Sequence, residues 1–133
     1  MSSFLDMERN AQLVSLRPVI HAEEGLQTVV EHFQNEVLRP ILKFQNTLLL
    51  AIFSRYCQKQ KVIFRNLSEQ KQLAFIENSL KKDNQIRRYC QGIVVAFFTE
   101  AEYARYIEEE EAINKRIITL LIERLASQRK SLS

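Results

Sequence analysis

The sequence predicts an all-α fold, a single-domain helical bundle of four to six helices with mostly antiparallel neighbours. Three observations predict it. The chain has only two glycines and two prolines in 133 residues, so little of it is turn or loop. Apolar residues recur every three or four positions, the period of a helix and not of a strand. Capping residues (Thr, Ser, Asp) stand where the apolar runs begin. Residues 28–128 are expected to form the bundle core, with 1–27 as an N-terminal helix or arm and 129–133 as a frayed tail.

Ser3 is placed to cap a first helix over Phe4 to Leu16, with Phe4, Leu5, Met7, Ala11, Val14 and Leu16 as an imperfect apolar face. Pro18 and Gly25 end it. Thr28 and Glu31 form a T-x-x-E capping box. The stripe after it, Val30, Phe33, Val37, Ile41, Phe44, Leu48 and Ile52, keeps its phase across Pro40. Proline removes a backbone bond and clashes with the preceding turn. The long helix from Val29 to Gln60 is therefore kinked or broken near Pro40, and the unbroken phase favours one continuous helix.

Val62, Phe64 and Leu67 are expected to plug one end of the core. Ser68 caps a helix with Leu73, Ile76 and Leu80 inward. Asp83 caps the next, with Ile86, Cys90, Ile93 and Phe97 on one side and Val94 and Phe98 widening it. That helix, Gln85 to Phe98, is the expected central one, and Gly92 would let a neighbour approach closely. Thr99 and Glu102 form a second capping box ahead of a short helix with Tyr103, Tyr106 and Ile107 inward. The last helix, Glu110 to Gln128, carries Ile113, Ile117, Leu120, Leu121 and Leu125.

Composition bounds the setting. The longest apolar runs, Leu48–Phe53 and Ile93–Phe98, fall far short of the roughly 20 residues that cross a bilayer. Met1 to Asn10 lacks the basic and apolar regions of a secretory signal. Cys57 and Cys90 sit in apolar stretches and read as reduced core thiols, with a disulfide as the alternative. These features predict a cytoplasmic protein with no membrane partner. The net charge of +3 is distributed in blocks: +6 over Arg55 to Arg88, −5 over Glu100 to Glu111, +4 over Ala112 to Ser133. Adjacent blocks of opposite sign suit contacts between helices or between protomers.

Three clusters are candidates for chemistry. Asn35, Arg39, Lys43 and Asn46 put two amides and two cations on one strip of the long helix, a set of donors for an anionic or amide-bearing ligand. Asn114, Lys115 and Arg116 on the last helix are its candidate partners, with Glu31 or Glu36 supplying negative charge. Lys81, Lys82, Arg87 and Arg88 flank a tight interhelical connection, an outline of helix-turn-helix phosphate contacts, although the second helix is too apolar to lie in a groove. Four consecutive carboxylates, Glu108 to Glu111, fan around a helix instead of converging on a cation. His21 and His32 lie in no ligand pattern, and no nucleophile motif is present. No catalytic residue, metal or cofactor is expected.

Several strings read together: Phe33-Gln34-Asn35, Leu38-Arg39-Pro40-Ile41-Leu42-Lys43, Phe44-Gln45-Asn46, Phe98-Thr99-Glu100 with Glu102-Tyr103, Asn114-Lys115-Arg116 and Glu123-Arg124. In these the chain resembles a group of small bacterial proteins of the Bacteroidota, some of which carry the label glyoxalase. The resemblance runs from Glu31 to Gln128; the segment before Glu31 and the run Glu108–Glu111 depart from it. It implies that the amide and cation strip belongs to a shared pattern. The label implies a vicinal-oxygen-chelate enzyme, with paired βαβββ modules and a metal held by His and Glu on strands. This chain predicts no such strands and lacks that spacing. The expected function is a non-enzymatic interaction protein that self-associates, a homodimer being favoured and another protein partner being the option. A small-ligand binder using the strip is the alternative, and nucleic-acid binding through Lys81 to Arg88 the third reading.

Overall fold

A computed structural model describes residues 4–19 and 27–132, with side chains from Glu8 onward. Ser3, His21 and Gly25 lie outside the described residues. The fold is all-α, and no strand occurs among the described residues. The helices are α1 (Phe4–Leu16), α2 (Val29–Phe33), α3 (Arg39–Phe44), α4 (Asn46–Lys59), α5 (Glu69–Lys82), α6 (Asn84–Val95), α7 (Glu100–Glu108) and α8 (Glu110–Ser127). A π turn, Gln34–Leu38, joins α2 to α3 in one rod. With that rod counted as one, the α-helical elements among the described residues number seven, more than the four to six expected.

The caps form where local chemistry puts them. Thr28 accepts from the Glu31 amide, Ser68 from Lys71 and Asp83 from Gln85. Thr99 and Glu102 complete a reciprocal capping box. At the end of α4 the Lys61 amide bonds to Gln58 O and the Val62 amide to Cys57 O. This is a Schellman cap with lysine, at φ 58°, where glycine is usual.

Pro40 neither breaks nor sharply interrupts the rod. The Arg39 amide reaches back five residues to Gln34 O, and this wider turn gives the proline ring room against the preceding turn. The interruption falls instead at Gln45, whose backbone (φ −87°, ψ 7°) leaves the helical well for one residue. Beyond it the buried face is Leu49, Phe53 and Cys57, while Phe44 and Leu48 stay 42% and 48% exposed. The expected continuation through Phe44, Leu48 and Ile52 is thus displaced by one residue, and Ile52 is only half-buried. The stretch Leu48–Phe53 is apolar all round, so periodicity alone could not choose its inner face.

The central helix is α8, not α6. It packs against α2, the π turn, α5, α6 and α7 and buries Ile113, Ile117, Ile118, Leu120, Leu121 and Leu125. It lies parallel to the rod: Gln34 meets Arg116 and Asn46 meets Gln128, each pair 82 residues apart. Helix α6 buries Ile86, Cys90 and Val94 but leaves Tyr89 exposed. A Cβ added at Gly92 would meet nothing within 4 Å, so the expected neighbour is absent among the described residues. On α7 only Tyr106 is buried; Tyr103 and Ile107 point outward.

Aromatic rings close both ends of the core. Phe98 stands edge-on to Phe33 and Tyr106 at one end; Phe53, Tyr56, Phe64 and Phe75 cluster at the other. Phe64 is the expected plug and is fully buried. Cys57 and Cys90 are buried free thiols, each pushed by desolvation to a pKa of about 11. The tail is tied down, against expectation: Arg129 pairs with Glu69 at 2.6 Å, and Leu132 is buried.

Described side chains attach helix α1 through arginines; of the apolar face expected of it, Ala11, Val14 and Leu16 are exposed, and the side chains of Phe4, Leu5 and Met7 lie outside the described residues. Arg9 donates to the carbonyls of Ala96 and Phe98, and Arg17 to that of Phe97. Cations suit this position because the carbonyls at the end of α6 carry the negative end of its dipole. Arg17 also grips Glu102 with two bonds of 2.7 Å.

Candidate functional site

The strip on the rod is resolved into a defined depression against α8. Arg39, Leu42, Leu120, Glu123, Arg124 and Ser127 line a cavity of about 300 Å³. The strip amides do not face it as ligand donors. Each fixes a guanidinium instead. Asn35 Oδ1 accepts from Arg39 Nε at 2.9 Å, and Asn46 Oδ1 accepts from Arg124 at 3.1 Å. Asn46 is itself fixed by Gln128, whose amide donates to Asn46 Oδ1 at 2.7 Å and accepts from Nδ2 at 2.8 Å.

The electrostatics are unbalanced. Among the described residues neither Arg39 nor Arg124 makes an ion pair. Burial, and after it the charge of Arg39, lower the pKa of Arg124 below the usual arginine value. Two guanidiniums thus share one depression, their neutral partners used up in orienting them. Glu123 lines the same wall without pairing to either. Lys43, one turn beyond Arg39, is exposed.

Of the expected partners on the last helix, only Arg116 reaches the rod, donating to Gln34 Oε1 at 3.3 Å. Asn114 accepts instead from the Tyr106 hydroxyl at 2.6 Å. Asn114 and Lys115 belong to a separate groove with Lys81, Arg87, Gln91, Glu111 and Thr119. Glu36 faces His32 and Arg105, not the strip. Arg124, Glu123, Ser127 and Gln128 are not among the site residues expected from the sequence, where Glu123-Arg124 figures only as a string of the resemblance. Their signal was there as helical spacing from Leu120 at i+3, i+4, i+7 and i+8, but nothing local told that the rod lies parallel to α8.

The basic cluster at the α5–α6 connection is partly spent on its own backbone. Lys81 pairs with Glu77 at 2.7 Å. Arg87 donates to Lys81 O at 2.8 Å and to the Asn84 side chain. Lys82 and Arg88 are exposed. The inner face of α6, with Ile86, Cys90 and Val94, is core.

Among the described residues no three His, Cys, Asp or Glu side chains converge on a possible metal position. No helix among them is long and apolar enough to cross a membrane. Comparison with protein-family profiles, with curated proteins and with solved structures finds no match to this chain.

Proposed function

We propose that this protein is a non-enzymatic binder of a small anionic ligand, held between Arg39 and Arg124. The observation that supports this reading is the sharing of one depression by two oriented guanidiniums that have no carboxylate partner. Such a pair repels, and a bound anion relieves the repulsion. The planar, multiply donating guanidinium suits carboxylate, phosphate or sulfate groups, which accept two bonds at once. A volume of about 300 Å³ fits a small metabolite, or the anionic end of a longer one. Glu123 on the same wall disfavours polyanions, so the fitting ligand carries one anionic group.

Thermal unfolding tests it. Inorganic phosphate and acetate, each set against chloride at matched ionic strength, are the probes. One of them is expected to raise the melting temperature, since a ligand that binds only the folded state adds about 2.7 kcal/mol at a hundredfold excess over its dissociation constant. The rise should vanish in Arg39→Ala and in Arg124→Gln. No rise with either probe, or a rise retained in both variants, overturns the reading.

A further inference from the structure

The apolar surface left over at the α4 interruption has a matching surface elsewhere on the same chain. Helices α4 and α6 run antiparallel, because the Tyr56 hydroxyl donates to Asp83 at one end and Phe44 stacks on Phe97 at the other. Between them lies a groove of about 390 Å³ lined by Ala51, Ile52, Arg55, Tyr56, Lys59 and Tyr89, among others. Ala51, Ile52, Ile86 and the Tyr56 and Tyr89 rings give it an apolar part, Gln60 and Gln85 line it as well, and Tyr89 is 61% exposed. Gly92 continues the stripe of Gln85 and Tyr89 on α6 and opens on empty space. Leu48 extends the opposite wall. The rim is cationic: Arg55 and Lys59 are exposed and make no ion pair among the described residues.

Helix α7 is the converse. Tyr103 and Ile107, one turn apart, form an apolar ridge 47% and 52% exposed. Glu100 and Glu108 to Glu111 flank it, all exposed and none ion-paired among the described residues. A ridge with unpaired acids fits a groove with unpaired cations in both shape and charge.

We propose that a second copy of this chain seats its α7 ridge in the α4–α6 groove, with Tyr103 and Ile107 against Leu48, Ala51 and Tyr89 and the flanking glutamates over Arg55 and Lys59. Ridge and groove are different surfaces, so the contact closes a dimer where a two-fold axis makes it twice and otherwise adds copies head to tail. The small residues Ala51 and Gly92 let the incoming helix approach closely. This contact is independent of the Arg39–Arg124 depression.

Sedimentation velocity over a concentration series tests it. The wild-type protein is expected to associate reversibly, more weakly as salt is raised. Gly92→Leu adds a side chain beside the groove, on the stripe of Tyr89, at a position where its Cβ meets no described atom of its own chain within 4 Å. It should fold with a melting temperature no lower than wild type and raise the dissociation constant about tenfold or more. Reversing the rim with Arg55→Glu and Lys59→Glu should do the same, and Glu108→Lys with Glu109→Lys in that background should restore association. A wild-type protein that stays monomeric throughout overturns the proposal, as does an assembly indifferent to Gly92→Leu and to the rim reversal.

Discussion

Arg17 is a nearly enclosed guanidinium and Arg124 a half-buried one, and they end in opposite states. Arg17 has a side chain only 7% exposed, and its Nη atoms are taken by Glu102 and the Phe97 carbonyl. Only its Nε lacks a partner. Arg124 has one amide oxygen, no carboxylate, and another arginine beside it. A buried cation whose charge is answered within the chain holds the fold together. One whose charge is unanswered costs stability unless something else answers it. The first arginine belongs to architecture, and the second is the one proposed to hold an anion.

The sharpest way to break this contrast is at Glu102. Glu102→Ala removes the partner of a nearly buried guanidinium and the reciprocal half of the α7 capping box together. It is expected to cost about 3 kcal/mol, read by urea denaturation, with α1 the first segment to lose hydrogen-exchange protection. A cost below about 1 kcal/mol would put Arg17 among ordinary surface pairs.

Acid should work on the same contact more gently. Burial raises the Glu102 carboxyl, but the Arg17 bonds and charge and the Thr99 amide outweigh it, and the net pKa falls below the usual value. A carboxyl depressed by folding contributes stability that is fully present above its unfolded pKa, about 4.3, and is lost as pH falls through the folded value. Protection of α1 against exchange should therefore hold at neutral pH and fade only below pH about 4. Fading that begins near neutrality would assign the attachment to another group.

The smallest expected effect is the most discriminating. Arg39 is exposed, and its one hydrogen bond goes to Asn35 within its own rod. Without added anion, Arg39→Ala should leave the unfolding free energy within about 0.5 kcal/mol of wild type, because a lost exposed bond is offset by relief of repulsion on Arg124. A drop of more than about 1.5 kcal/mol would make the depression structural after all.

Local features were legible before the structure. The bounds of α1 and the caps at Thr28, Ser68, Asp83 and Thr99 depend on residues a few positions apart, and the sequence carries them whole. The inner face of α8 was legible too, since Ile113, Ile117, Leu120, Leu121 and Leu125 keep one helical phase and are all buried. Two things were not legible. The face of α4 was hidden because Leu48 to Phe53 offers an apolar side in every direction. The true neighbour of the Asn35–Arg39–Asn46 strip was hidden because Arg124 and Gln128 reach it only through the parallel seating of two helices distant in the chain. Asn35 and Asn46 were singled out as ligand donors, and the geometry gives both of them to arginines.

The π turn has a consequence for how this chain can vary. Gln34–Leu38 holds one residue more than an α-helical path between the same points would need. Losing a single residue there would let the rod close into a plain α-helix with the faces before and after the turn kept where they are, so Phe33 would stay on Phe98. Winding the turn into an α-helix with the residue retained would instead rotate everything before it by about 100° relative to everything after it. Either change would press Pro40 on the tightened turn behind it. The surplus residue is thus a spacer that gives the proline its room without disturbing the faces on either side.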